Sequence, residues 1–126
     1  MKAPAPGELR YQKETRELVI GYDDGRFVLG AEFLRVHSPS AEVQGHGGEG
    51  GVLPRHKESV SITAIEQVGN YAVKIRFSDG HDTGLYSWDW LRKLCLEQEA
   101  LAQEYRQKLL DEPDPASGVG VVRFTP

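Results

Sequence analysis

Strict alternation of apolar and polar or small residues from Tyr71 to Phe77 is the feature that most constrains the fold of this chain. This period of two is the pattern of a half-buried β-strand. Turn dipeptides flank the strand, because Gly69-Asn70 precedes it and Asp79-Gly80 follows it. Such dipeptides supply the positive φ angles of tight hairpin turns, so the neighbouring strands are expected to run antiparallel. The segment therefore predicts a sheet built from hairpins.

A second hairpin is predicted nearer the N-terminus. Alternating residues at 9–12 and 18–22 predict two strands, and Asp24-Gly25 predicts a tight turn into a return strand at 27–29. Residues 31–37 then have the length and pattern of two helical turns. In the later hairpin, Ile65 breaks the alternation of the first strand, which predicts a β-bulge near that strand's end.

The C-terminal part of the sequence predicts a helix. Ser87 is a favourable N-cap residue, and Asp89 places a negative charge in the first turn, where the helix dipole favours it. Apolar residues recur at helical spacing as far as Leu109, which predicts one long helix from Trp88 to about Leu110.

Together these patterns predict an α+β fold. We expect an antiparallel, twisted sheet of hairpins with a short helix after the second hairpin and one long C-terminal helix. The domain is expected to span residues 8–110. Residues 1–7 are predicted to form a flexible N-terminus, and residues 111–126, which contain three prolines and two glycines, a disordered tail.

Charge and cysteine content exclude several classes of function. The formal net charge of −4 argues against a nucleic-acid binder that relies on a large basic surface. A single cysteine, Cys95, excludes an intramolecular disulfide and Cys-rich zinc or iron–sulfur motifs. The sequence shows no signal peptide, and no apolar run approaches the roughly 20 residues of a membrane span. We therefore expect a soluble, cytoplasmic protein that binds neither nucleic acid nor membrane.

Four histidines are the candidates for metal chemistry. His37, His46 and His56 lie in or beside the Gly-rich loop 38–58, and His81 follows the Asp79-Gly80 turn. Three imidazoles brought together would form a plausible zinc or iron site. No pair has the i, i+4 spacing of a helical site, however, and Gly-rich neighbours do not preorganise ligands, which favours scattered, solvated histidines. The loop also lacks the Gly-Lys-Ser/Thr ending of a phosphate-binding P-loop.

Nucleophilic catalysis finds no support in the sequence. None of the serines lies in a Gly-x-Ser-x-Gly elbow, and Ser87 is better explained as a helix cap. Cys95 falls on the apolar side of the helix beside Leu91 and Leu94, which predicts a buried, inert thiol. Because no nucleophile–base pair or cofactor motif is visible, we do not expect an enzyme.

Two features favour an interaction surface. Trp88 and Trp90 stand about 200° apart around the helix, since each residue turns it by about 100°. Both cannot face inward, so one is either a candidate exposed anchor of the kind enriched at interfaces or is covered by a neighbouring strand or loop. A modest basic patch around the loop is either plain solvated surface or a site for an acidic partner. This patch consists of Arg35, Arg55, His56 and Lys57.

Four segments, in their order and spacing, resemble a known family. They are 33–42 (FLRVHSPSAE), 68–73 (VGNYAV), 77–81 (FSDGH) and 86–91 (YSWDWL). Together they resemble the gamma-butyrobetaine-hydroxylase-like N-terminal domain, a family long catalogued as a domain of unknown function. In that family the domain stands alone in bacteria, precedes the iron- and 2-oxoglutarate-dependent oxygenases of carnitine biosynthesis, or is appended to Mrp-type ATPases that carry iron–sulfur clusters. This chain resembles the stand-alone bacterial setting, so the resemblance carries over no catalytic activity.

The resemblance also implies a position for a metal. In the carnitine hydroxylases the domain binds a structural zinc through three cysteines and a histidine, and the matching positions here are Ser38, Ser40, Val43 and His81. Only His81 keeps the residue type that binds zinc in the family, because hydroxyls are poor zinc ligands and a valine side chain cannot bind a metal. We therefore expect no metal, and expect Ser38 and Ser40 instead to hydrogen-bond the loop with His81 as a partner.

The leading interpretation is a non-catalytic accessory module without a cofactor. The resemblance implies that it acts in trans with a protein of an iron–sulfur or iron-dependent oxygenase system, and it also implies a weak homodimer, because the family domain contributes to dimer contacts in the hydroxylases. The alternative is a zinc- or iron-binding accessory protein that uses His81 and the loop histidines, and a small stand-alone enzyme ranks behind both. The candidate interaction residues are Arg35, His37, His46, His81, Tyr86 and Trp90.

Overall fold

Two three-stranded antiparallel sheets, one two-stranded sheet and four helices make up the regular structure of the described residues. The computed structural model describes residues 3–46, 49–50 and 52–112. The strands are β1 (Glu8–Gln12), β2 (Glu17–Tyr22), β3 (Gly25–Gly30), β4 (Gly45–His46), β5 (Glu49–Gly50), β6 (Ile62–Val68), β7 (Ala72–Phe77) and β8 (Leu85–Ser87). The helices are α1 (Ala31–Val36), α2 (Ala41–Gln44), α3 (Trp88–Leu96) and α4 (Gln98–Asp111).

The predicted α+β fold is confirmed. One sheet has the order β1-β2-β3 and the other the order β6-β7-β8, with every pair antiparallel. The turns of the second sheet contain Gly69 at φ 56° and Gly80 at φ 90°, in the left-handed region that residues with a Cβ rarely occupy. Ser87 caps α3 as predicted, because its Oγ accepts a hydrogen bond from the backbone N of Trp90 at 3.1 Å.

Local details differ from the sequence-based expectation. The register shift of β6 lies between Ile62 and Ala64, near the start of the strand and not at Ile65. Residues 81–84 have no regular structure, so the return strand β8 is short and begins at Leu85. The segment 38–58, expected to be an irregular loop, contains α2 and the small β4–β5 hairpin.

The C-terminal helix covers the predicted residues in two pieces that meet at Glu97. Glu97 has φ −110° and ψ 21°, which is outside the helical region, and it serves as the C-cap of α3 and the N-cap of α4. α3 buries Leu91, Leu94 and Cys95, whereas α4 has no buried residue. Helix α3 therefore belongs to the core, and α4 lies on the surface.

The core is formed by the apolar faces of both sheets together with α1 and α3. All buried apolar residues of the described chain lie between Leu18 and Cys95. The largest fully buried side chain is Tyr86, which sits among leucines and isoleucines. The fully buried core residues, apart from Tyr86, are Leu18, Ile20, Leu29, Leu34, Ala72, Ile75, Leu91 and Leu94.

The chain ends contact the body where they are described. The backbone N of Ala3 donates to Asp89 Oδ1 at 2.6 Å, and that of Gly7 donates to the Gly21 carbonyl at 2.8 Å. Residues 1–2 of the predicted flexible N-terminus, and residues 113–126 of the predicted tail, lie outside the described residues. Within the described ranges, none of the helices combines the length and the apolar character needed to cross a bilayer.

Candidate functional site

A buried cluster of two serines and a histidine lies between α1 and the turn that follows β7. The Oγ of Ser38 is 2.8 Å from Nε2 of His81, and the Oγ of Ser40 is 3.5 Å from the same nitrogen. The backbone N of Ser40 donates to Ser38 Oγ at 3.3 Å, which holds the two serines together. Ser38 is fully buried, and His81 is only 8% exposed. The predicted hydrogen bonding of these serines with His81 is confirmed.

The surrounding backbone leaves just enough room for this cluster. A Cβ added to Gly84 would lie 2.4 Å from Ser38 Oγ and 3.2 Å from Cδ of Pro39, so position 84 accepts only glycine without a shift. Tyr86, two residues further along, donates its hydroxyl to the Leu34 carbonyl at 2.5 Å. Burial raises the pKa of Tyr86 well above its ordinary range.

The prediction that Tyr86 belongs to the interaction surface is wrong. From the sequence, Tyr86 is one of the six candidate interaction residues. The structure gives its side chain no exposed area and packs it in the core. Tyr86 positions the end of α1 through Leu34 and has no surface to offer a partner.

A zinc ion does not fit the residues of this cluster. His81 Nε2, the nitrogen that faces the other two positions, shares hydrogen bonds with both serines, and Val43 has no donor atom. Two hydroxyls and one imidazole make a weak donor set for zinc, which is normally held by thiolates, imidazoles and carboxylates. Throughout the described ranges, no three or more His, Cys, Asp and Glu side chains are grouped as a metal site would require.

An ion triad of Arg35, Lys57 and Asp79 lies directly beside the cluster. Asp79 Oδ2 accepts hydrogen bonds from Arg35 Nε at 2.9 Å and from Lys57 Nζ at 2.7 Å, and Asp79 Oδ1 accepts from the backbone N of His81 at 3.1 Å. Burial raises the pKa of Asp79, but the hydrogen bonds from Lys57, His81 and Arg35 outweigh it and hold the pKa at about 2. The triad thus ties the turn before His81 to α1 and to the segment that leads into β6.

His37 and Trp90 meet in a separate groove formed by α1, α3, α4 and residues 52–54. Trp90 Nε1 donates to the His37 carbonyl at 2.9 Å, and His37 Nδ1 is 2.9 Å from the Phe33 carbonyl. The ring of Tyr105 lies 6.3 Å from the His37 ring, and Lys93 Nζ lies 5.3 Å from the Trp90 ring. We call this the aromatic groove; it encloses about 450 Å³. Burial lowers the pKa of His37, which favours its neutral form.

Both tryptophans are half-buried, so neither is a fully exposed anchor. Trp88 packs against the core and donates its Nε1 to the Asn70 carbonyl at 2.7 Å. Trp90 also contacts the core, and it is covered on one side by α1 through the bond to His37. Neither possibility left open by their angular separation is met in full, because Trp90 is half-buried and the segment beside it is the end of helix α1.

The histidines do not converge on one point. His37 belongs to the aromatic groove, His81 belongs to the serine cluster, and His56 is exposed. His46 lies in β4, and its side chain is outside the described part of the structure. Cys95 is buried as predicted, and burial raises the pKa of its thiol to about 11, so the unreactive protonated form prevails at neutral pH.

Two residues outside the predicted set, Asp79 and Tyr105, contribute to these sites. Asp79 was interpreted only as a turn residue, although its carboxylate joins two cations that are distant in sequence. Tyr105 is one of the apolar residues whose helical spacing predicted the long helix, and in the structure it lies in the wall of the aromatic groove and donates its hydroxyl to the Pro54 carbonyl at 2.6 Å. No local signal marks either role, because both depend on contacts between separate segments.

Comparison with known proteins agrees with this architecture. The family model described as gamma-butyrobetaine hydroxylase-like, N-terminal, matches residues 9–92. No significant match was found among curated proteins. Two NMR solution structures are 42% and 48% identical to this chain, each with a TM-score of 0.74. They cover 87% and 86% of this chain and 86% and 82% of their own chains, respectively.

A crystal structure adds a third relative. It is a protein of unknown function from Acidithiobacillus ferrooxidans that belongs to the DUF971 family. It is 36% identical to this chain with a TM-score of 0.59, and the match covers 71% of this chain and 91% of that one. With most of its core and both sheets inside the matched region, the chain belongs to the gamma-butyrobetaine hydroxylase-like, N-terminal family, whose matched structures include a protein of unknown function.

Proposed function

We propose that this chain is a non-catalytic accessory module that binds a protein partner through the aromatic groove. The partner is a component of an iron–sulfur or iron-dependent oxygenase system, and the two proteins meet in the cytoplasm as separate chains. This choice of partner rests on the family resemblance and the domain fusions it brings. It is an association and not a mechanism.

The state of the Ser38–His81 pair supports a role without catalysis. A serine hydroxyl within 2.8 Å of an imidazole nitrogen is the spacing of a nucleophile and its base. Here, however, Ser38 has no exposed area, and Ser40 shares the same imidazole nitrogen. A nucleophile that no substrate reaches serves to hold the loop and not to attack.

The geometry of the aromatic groove is the observation that carries the proposal. Trp90, His37 and Tyr105 bring three rings from three helices or helix ends to one open depression, and such aromatic side chains dominate binding energy at protein interfaces. Lys93 and Lys108 are exposed at its edge, and Glu104 and Glu112 are also among the lining residues. The groove therefore has a neutral balance of charge and a lining that mixes polar with apolar side chains, which suits a partner segment whose apolar or aromatic side chain has polar neighbours.

A binding titration tests the proposal. We expect the purified chain to bind the Mrp-type iron–sulfur carrier or the iron-dependent oxygenase of the same host in isothermal titration calorimetry. Trp90→Ala removes the central ring and is expected to weaken binding at least about tenfold, as for an interface anchor. Lys93→Glu and Lys108→Glu change only exposed side chains, and Lys13→Glu, on the β1–β2 turn, is the matched control.

Thermal unfolding of each variant separates binding from folding. Trp90 contacts the core, so a variant that loses the folded state assigns this residue to the core. In that case the two lysine variants decide the matter, since their folds are preserved. The proposal fails if neither host protein binds, or if the groove variants bind as tightly as Lys13→Glu. The metal-binding alternative is tested by metal analysis of the purified protein, with His81→Ala as its control.

A further inference from the structure

A second cavity, also of about 450 Å³, shares residues 52–54 and Val43 with the aromatic groove but differs in its chemistry. None of its described lining residues is acidic, and four of them are basic or imidazole side chains. We call it the cationic cavity. Its lining residues are Arg35, Val43, Val52, Leu53, Pro54, Arg55, Lys57 and His81.

The positive charge at the cationic cavity is only partly balanced. The single carboxylate of Asp79 serves both Arg35 and Lys57 through one oxygen, Oδ2, while its other oxygen is engaged by the backbone N of His81. Arg55 directs its Nη2 to the backbone carbonyl of Glu112, which carries no charge. Asp79 thus pairs with two of the three cations that line the cavity, and Arg55 has a neutral partner, in a partly enclosed site where water screens charge less than at an open surface.

The guanidinium of Arg35 also has one donor without a hydrogen-bond partner among the described residues. Its side chain is 12% exposed, and its Nη1 is buried with no hydrogen-bond partner among the residues that the structure describes. A buried guanidinium N–H without an acceptor is costly, so such a group usually meets a water or a ligand. Nη1 itself is enclosed by protein, so it is the remainder of the guanidinium, held in a fixed direction by the carboxylate on Nε, that lines the cavity and suits an oxyanion.

We propose that the cationic cavity binds a small oxyanion, a carboxylate or a phosphate, with Arg35 and Lys57 as its charged ligands and Arg55 at its rim. The apolar residues Val43, Val52 and Leu53 provide a wall for the remainder of a small organic molecule. Cavities of about 300–1,000 Å³ are typical of small-molecule sites, and this one falls within that range. The inference does not depend on the aromatic groove, because Arg35, Lys57 and Arg55, which carry it, do not line that groove.

Titration by NMR tests this site on the full chain. Inorganic phosphate and succinate are added separately to the ¹⁵N-labelled protein, with ionic strength and pH held constant by sodium chloride and buffer. We expect saturable shifts of the His81 and Lys57 amide signals and of the Arg35 Nε signal. Whichever of the two anions binds more tightly identifies the ligand as phosphate-like or carboxylate-like.

Variants at the site decide whether the cavity is responsible. Arg35→Lys keeps the charge but loses the planar fork, and Lys57→Gln loses one charge. We expect each to weaken binding at least about tenfold. Arg55→Gln leaves the ion triad intact, so it still reports on binding at the cavity if Arg35→Lys fails to fold. Lys13→Gln is the matched control. Shifts that stay linear in anion concentration, or affinities equal to that of Lys13→Gln in all folded variants, would overturn the proposal.

Discussion

Replacement of Asp79 by asparagine gives the most direct measure of what the ion triad contributes. Asp79→Asn keeps the size of the side chain and one oxygen acceptor, but it removes the charge that lies 2.9 Å from Arg35 Nε and 2.7 Å from Lys57 Nζ. The side chain of Asp79 is 23% exposed, so its interactions are only partly screened by water.

The size of the effect follows from the pKa of Asp79. The pKa of this carboxyl is about 2 in the folded state and 3.8 in the unfolded chain. This difference contributes about 2 kcal/mol to the free energy of unfolding at neutral pH. Because the folded pKa is the lower of the two, this contribution is fully present above the unfolded value. It is lost as pH falls from about 4 towards 2, where the native carboxylate is protonated.

Urea unfolding of the wild type and Asp79→Asn at several pH values measures this contribution. We expect the variant to be less stable by about 2 kcal/mol at pH 7 and the gap to shrink by roughly half near pH 3. Asp82→Asn is the matched control, since Asp82 is nearby in the chain and outside the triad. A gap between wild type and Asp79→Asn that is the same at every pH would refute the electrostatic reasoning.

Two further predictions concern the serine cluster. Gly84→Ala places a Cβ 2.4 Å from Ser38 Oγ and is expected to lower the free energy of unfolding by about 1–3 kcal/mol. Gly30→Ala is the control in the same denaturation assay, because its Cβ meets nothing within 4 Å. Equal losses of stability in the two variants would contradict the packing argument. A chelator is expected to leave the melting temperature of the wild type unchanged, while Ser38→Cys, Ser40→Cys and Val43→Cys combined are expected to bind zinc with His81 and to gain a chelator-sensitive melting temperature. Stoichiometric zinc in the purified wild type, measured by elemental analysis, would contradict this.

The elements that the sequence predicted well are those with local causes. The alternation at 71–77 and the flanking glycines determine the β6–β7 and β7–β8 hairpins, because side-chain period and turn conformation are properties of a few adjacent residues. The N-cap at Ser87 is local in the same sense, since its hydroxyl reaches a backbone N three residues away. The hydrogen bonding of Ser38 and Ser40 with His81 was expected only because the family resemblance placed these residues together.

The remaining features depend on contacts between distant segments. Arg35 and Asp79 are 44 residues apart, and Tyr105 and the Pro54 carbonyl are 51 residues apart. Nothing in the neighbourhood of either residue encodes such a pair. The break at Glu97 has a similar origin: no glycine or proline marks it, and the helical pattern of apolar residues continues on both sides. The burial of Tyr86 also depends on a distant segment, since its hydroxyl donates to the Leu34 carbonyl 52 residues away.

Helix α4 has a consequence for access to both cavities. It buries none of its own residues, but two hydrogen bonds join it to the segment that follows residue 52. Tyr105 donates its hydroxyl to the Pro54 carbonyl, and Arg55 donates to the Glu112 carbonyl. Helix α4 therefore holds in place the wall that the two cavities share. A segment that leaves the core intact when it detaches opens at a free energy below that of global unfolding. We therefore expect amide hydrogen exchange in α4 and in residues 52–57 to be coupled, and the same opening to widen access to both cavities.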